Sequence, residues 1–134
     1  MTVKLPSRLH HTAYVSKDLE ATRRFYEEVI GLPLMATWCE QEQLFGEERT
    51  YAHCFFGLGD GGALAFFQFA RPSDHALFGP KMPESPFHHI ALNVDAGDPE
   101  GYRRPHRRRR HPAARHLCAG ARLCRSVYVK TPTA

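Results

Sequence analysis

The apolar and polar positions change period several times along the first 95 residues. Residues 8–15 (Arg-Leu-His-His-Thr-Ala-Tyr-Val) alternate, carry β-branched and aromatic side chains, and predict a strand. Ser16 and Asp18 then offer helix N-caps, with Glu20 in the first turn, where the helix dipole favours a negative charge. Leu19, Thr22, Phe25, Tyr26, Val29 and Ile30 fall on one helical stripe, while Glu20, Arg23, Arg24, Glu27 and Glu28 fall on the other side. Gly31 stands where a helix stops and Pro33 prevents its resumption. Phe25 and Tyr26 are expected in the core. Leu34 to about Glu42 predicts a second strand, Gln43–Arg49 a polar loop and Tyr51–Leu58 a third strand. Gly59-Asp60-Gly61-Gly62 has hairpin-turn chemistry, and Ala63–Ala70 predicts a fourth strand interrupted by the amide of Gln68. Residues 71–86, punctuated by Pro and Gly, predict a linker.

The opening strand returns after this linker. Leu9-His10-His11-Thr12-Ala13-Tyr14-Val15 is echoed by Phe87-His88-His89-Ile90-Ala91-Leu92-Asn93-Val94. Successive side chains of a strand point to opposite faces, so each His-His pair sends one imidazole to each side. Two such strands could bring two nitrogen ligands to one cleft, as a metal site requires. A buried Gln68 must find hydrogen-bond partners or a ligand, because leaving the amide unpaired costs about 1–3 kcal/mol.

Composition narrows the classes. A chain of 134 residues is one domain, or two small related modules sharing a core. No apolar run approaches a membrane span, and the N-terminus lacks the order of a signal peptide. Cys39, Cys54, Cys118 and Cys124 show no C-x-x-C spacing, so reduced thiols in a cytoplasmic protein are expected. The net charge of +4 hides an asymmetry. Residues 1–95 hold 8 Lys+Arg against 12 Asp+Glu, whereas residues 96–134 hold 10 against 2.

The run His-His-Thr-Ala-Tyr-Val-Ser-x-Asp-Leu-Glu-x-x-x-x-Phe-Tyr-x-x-x-x-Gly-Leu resembles the vicinal oxygen chelate superfamily, over residues 8 to 95. That group includes glyoxalase I, methylmalonyl-CoA epimerase, extradiol dioxygenases and the bleomycin- and fosfomycin-resistance proteins. The resemblance implies an α+β fold of paired βαβββ modules that form a curved sheet cleft. Residues 8–70 would be the first module, 71–86 the linker and 87–134 a degenerate second module. It also implies a divalent metal ion (Zn, Ni, Co, Mn or Fe) with ligands at His11, Gln68 and His89. The family's fourth ligand, from the last strand of the second module, has no counterpart here. His10 and His88 would be outward, structural members of their pairs, and His53 and His75 surface or supporting residues. Such a metal acts as a Lewis acid with open positions for two adjacent substrate oxygens. A neutral Gln ligand suits isomerase or lyase chemistry better than an Fe(II) facial triad.

The function implied is a glyoxalase- or dioxygenase-like metalloenzyme acting on a small substrate, with a homodimer as one arrangement. The alternative is a metal-free, small-molecule-sequestering module. Trp38, Phe56, Phe66 and Phe67 could line a cleft in either case. The Arg-rich stretch from Tyr102 to His116 cannot bury a face. A basic arm for nucleic acid is the less favoured account, because no aromatic residue interleaves the arginines beyond Tyr102. The favoured account is that residues 96–122 are out of frame, with the frame recovered near Cys124 and lost at Thr131. Lys-Asp-Pro-Asn-Gly encoded as AAG GAC CCC AAC GGC, with one G deleted, reads Lys-Thr-Pro-Thr-Ala, which is the sequence 130–134. The polypeptide as written would then be truncated in function and inactive.

Overall fold

A computed structural model describes residues 4–81 and 89–93, together with the backbone of 114–117 and 126–129. Strand β1 (His11–Val15) leads into helix α1 (Leu19–Arg23), which continues as wider π-helical turns over Arg24–Ile30. Asp18 is the N-cap, and its carboxylate accepts from Ala21 N at 2.9 Å. Gly31 ends the helical segment at φ 90°, a left-handed conformation that glycine adopts without a Cβ clash. Strands β2 (Leu34–Leu44), β3 (Glu47–Gly57) and β4 (Ala63–Phe69) follow, and then helix α2 (Pro72–Phe78). A separate two-stranded ribbon pairs β5 (Ala114–Leu117) with β6 (Ser126–Val129).

The main sheet has the order β1-β4-β3-β2. β1 runs parallel to β4, while β3 is antiparallel to both β4 and β2. The fold is therefore α+β, built on a βαβββ unit whose sheet does not close. Its core lies between the sheet and the helical segment. Phe25, Tyr26 and Ile30 from the helix meet Cys54, Phe56, Leu64 and Phe66 from the sheet. Removing this apolar surface from water is the main stabilising term, since each fully buried large side chain contributes about 1.5–3 kcal/mol.

Three sequence expectations change. The polar segment 43–49 is not a loop. β2 and β3 pair as far as Leu44 and Glu47, and only Phe45 (φ 54°) and Gly46 (φ 82°) form the turn. Two consecutive positive φ values are what a two-residue hairpin requires to match the strand twist. The linker 71–86 contains α2, with Pro72 in the first turn, where its missing N–H costs no helical bond. The third concerns the returning strand. Residues 89–93 form no strand, and Phe87, His88 and Val94 lie outside the described residues. Ser126–Val129 is a strand whose side chains lie outside the described residues, as does most of 96–122.

Candidate functional site

Pairing register divides the sheet's side chains between two faces. Thr12, Tyr14, Leu64, Phe66, Gln68, Phe56 and Cys54 share the face covered by the helix. His11, Ala13, Ala65, Phe67, Phe55, His53 and Tyr51 point to the far face, joined from β2 by Trp38 and Glu40. The far face is an aromatic strip. Trp38 stacks on Phe55 (centroids 5.1 Å apart, planes 18°), His53 stacks on Phe67 (3.6 Å, 20°), and His11 meets Phe55 edge-on at 5.5 Å. At the far end of the strip, α2 lays Phe78 against Phe69 at 5.0 Å.

His11 is exposed on this face, and its Nδ1 lies 2.8 Å from Nδ1 of His10. One ring of that pair donates and the other accepts. His10, itself exposed, is thus the hydrogen-bonding partner of His11. Gln68 is a different matter. It lies on the helix face, near the opposite end of β4 from Ala63, which pairs with His11. Its Oε1 accepts from Leu19 N at 2.6 Å, satisfying one of the free amides at the start of α1. The expected convergence of Gln68 with His11 is not what the sheet builds. The cause is strand parity: residues 63 and 68 differ by an odd number, so their side chains leave opposite faces. His89 is exposed in a segment without strand structure, whose Leu92 packs against the helix-side core. Among the described residues, no three His, Cys, Asp or Glu side chains gather at metal-binding spacing. Of the three expected ligands, His11 presents an exposed donor on the far face and Gln68 lies on the helix face with its carbonyl engaged.

The expected aromatic lining also divides. Trp38 and Phe67 lie on the far face, whereas Phe56 and Phe66 belong to the core. His53 is not a surface residue; it is 8 % exposed and enclosed by Trp38, Phe55 and Phe67. Its Nε2 is buried without a hydrogen-bond partner among the described residues. Burial holds the His53 imidazole below the ordinary histidine value, against the nearby Glu40 carboxylate and with help from His11. Glu40 accepts from the Tyr51 hydroxyl at 2.7 Å, and that bond keeps the phenol protonated well above its usual range. His75 is half-buried on α2, its Nδ1 unpaired among the described residues. The period-2 pattern of Tyr51, His53 and Phe55 was the one sequence signal that placed His53 among rings. On the other side of the sheet, burial pushes the Cys54 thiol up to about 11, so it is an inert core group.

A family model for the Glyoxalase/Bleomycin resistance protein/Dioxygenase superfamily matches residues 8–100. Among solved structures, the chain resembles a point mutant of the genomically encoded fosfomycin resistance protein FosX from Listeria monocytogenes, complexed with Mn(II) and 1S,2S-dihydroxypropylphosphonic acid. That likeness has a TM-score of 0.56 and 17% identity, and covers 95% of this chain and 86% of the other. FosX from Mesorhizobium loti gives a TM-score of 0.55 and 20% identity over 95% of this chain and 85% of its own. No curated protein sequence matches the chain. No helix among the described residues is long and apolar enough to cross a membrane. With the βαβββ unit in place and more than half its length matched by one family model, the chain belongs to the Glyoxalase/Bleomycin resistance protein/Dioxygenase superfamily.

Proposed function

We propose that the chain derives from a divalent-metal-dependent enzyme of this superfamily, acting on a small molecule with adjacent oxygens held against the far face of the sheet. The observation that carries this reading is His11. It is an exposed imidazole at the start of β1, on the face whose aromatic rings can take the apolar part of a ligand. The Listeria relative, whose fold this chain shares, was crystallised with Mn(II) and a dihydroxypropylphosphonic acid. In this reading His11 is a metal ligand and His89 is its counterpart from the second half. Gln68 is not counted among them, because its carbonyl is engaged by the Leu19 amide. A bound divalent ion would supply Lewis acidity toward paired oxygens. The chain's own residues supply the apolar wall, and the His10 ring orients that of His11.

The turning of Gln68 to the other face favours a second reading, a metal-free protein that sequesters small molecules. Metal analysis separates the two. In the first reading, the purified protein reconstituted with Mn(II) or Zn(II) holds about one ion per chain. His11→Ala and His89→Ala then each lower affinity about 10-fold or more, and His75→Ala leaves it unchanged. Absence of bound metal from the reconstituted unaltered protein would leave only the sequestering reading, and an ion retained equally by all four proteins would overturn the assignment of His11 and His89.

A further inference from the structure

β3 keeps one imidazole among the rings of the far face, and Nε2 of that ring has no partner among the described residues. An unpaired buried nitrogen costs about 1–3 kcal/mol, and a phenylalanine would fill nearly the same space without that cost. The surroundings make the choice more pointed. His53 already sits in a stack suited to a hydrocarbon ring, flat on Phe67 and beside Phe55 and Trp38. Buried polar groups of this kind are few in native proteins, and functional sites are where they collect.

We propose that His53 Nε2 is the polar anchor of a small-molecule subsite on the far face, and that the subsite takes a flat ring carrying a hydroxyl group. The ligand ring takes the place of the Trp38 indole over Phe55, and its hydroxyl meets Nε2. The slot is planar, because Trp38 lies only 18° from the plane of Phe55. Trp38 stands on the edge strand β2 and is 38 % exposed, so its side chain can swing into water without breaking the β2–β3 ladder. A hydroxyl suits the site better than a carboxylate, because Glu40 stands on the same face one residue pair away and its negative charge disfavours an anion. A neutral imidazole can either donate to a hydroxyl or accept from it. The inference rests on the far face being the ligand-binding face and is independent of whether His11 holds a metal.

Trp38 is the only tryptophan in the chain, so its emission reports this slot directly. The protein as purified, with its metal content measured in parallel, is titrated with phenol, toluene and cyclohexanol. Phenol is expected to bind about 10-fold tighter than either of the others, the contribution of one hydrogen bond or of one ring stack. Its binding should shift Trp38 emission to longer wavelength. His53→Phe should bring the phenol-to-toluene ratio to about one while raising the melting temperature. His53→Gln, which restores a side-chain donor, should recover part of the preference. An unchanged ratio in a folded His53→Phe protein overturns the proposal, and so does a lower melting temperature for that variant. Absence of any phenol preference in the unaltered protein overturns it as well, even if His53→Phe fails to fold. Loss of metal with the phenol preference intact would count against the metalloenzyme reading alone.

Discussion

Gln68 and His53 are both polar residues set in apolar strands, and they have opposite fates. Gln68 finds a backbone amide at the start of α1, 2.6 Å away, and helps to fix the helix on the sheet. Gln68→Ala should therefore cost about 1–2 kcal/mol, the penalty of a part-buried amide left unpaired, and lower the melting temperature by several degrees. Metal content should not change. Loss of metal at an unchanged melting temperature would return Gln68 to the ligand set. The sequence could not separate the two fates. In Ala-Leu-Ala-Phe-Phe-Gln-Phe both faces of the strand are apolar, and the alternation that would assign Gln68 to a face is erased. Around His53 the period-2 run Tyr51, His53, Phe55 does put the imidazole among rings, but it does not say whether that nitrogen finds a partner. The face of His11 was easier to assign, because its strand is half exposed and its polar positions stand out.

At the scale of elements, the order strand, helix, strand, strand, strand was legible from the change of period alone. The missing piece was α2, hidden because Pro72 reads as punctuation when it is in fact a helix start. What holds α2 is a buried charge cluster. Arg49 on β3 bonds Asp74, which Arg71 also meets at 2.9 Å, and the Arg49 guanidinium donates to Leu44 O at 3.0 Å. Arg49 and Asp74 are 4 % and 2 % exposed. Asp74→Ala leaves a guanidinium buried beside Phe78 without its main counter-charge, which should cost about 3–5 kcal/mol in denaturant unfolding. The double change Arg49→Met with Asp74→Leu should cost distinctly less, since neither charge is then stranded. If the double variant were as unstable as the single one, packing rather than charge would account for the loss. By contrast, the exposed pairs of Arg23 with Glu20, Glu27 and Glu28 contribute little, because water and salt screen them.

The molecule as a whole is a sheet with two unequal kinds of contact. The ladders β2–β3 and β3–β4 join neighbours in sequence, whereas β1 reaches β4 across the helix and both hairpins, His11 pairing with Ala63. Closing that long loop costs chain entropy that no local contact offsets, so such pairings form late. The strand that bears His11 is thus expected to dock last in refolding and to open first in the native state. Amide exchange would read this directly: protection should appear in β2, β3 and β4 before β1, and β1 should exchange fastest among the four. Simultaneous protection of all four strands would refute this order. Were it confirmed, a ligand touching both His11 and β3 would act as a clasp, drawing the most loosely held strand onto the remainder of the sheet and lengthening the time it stays closed.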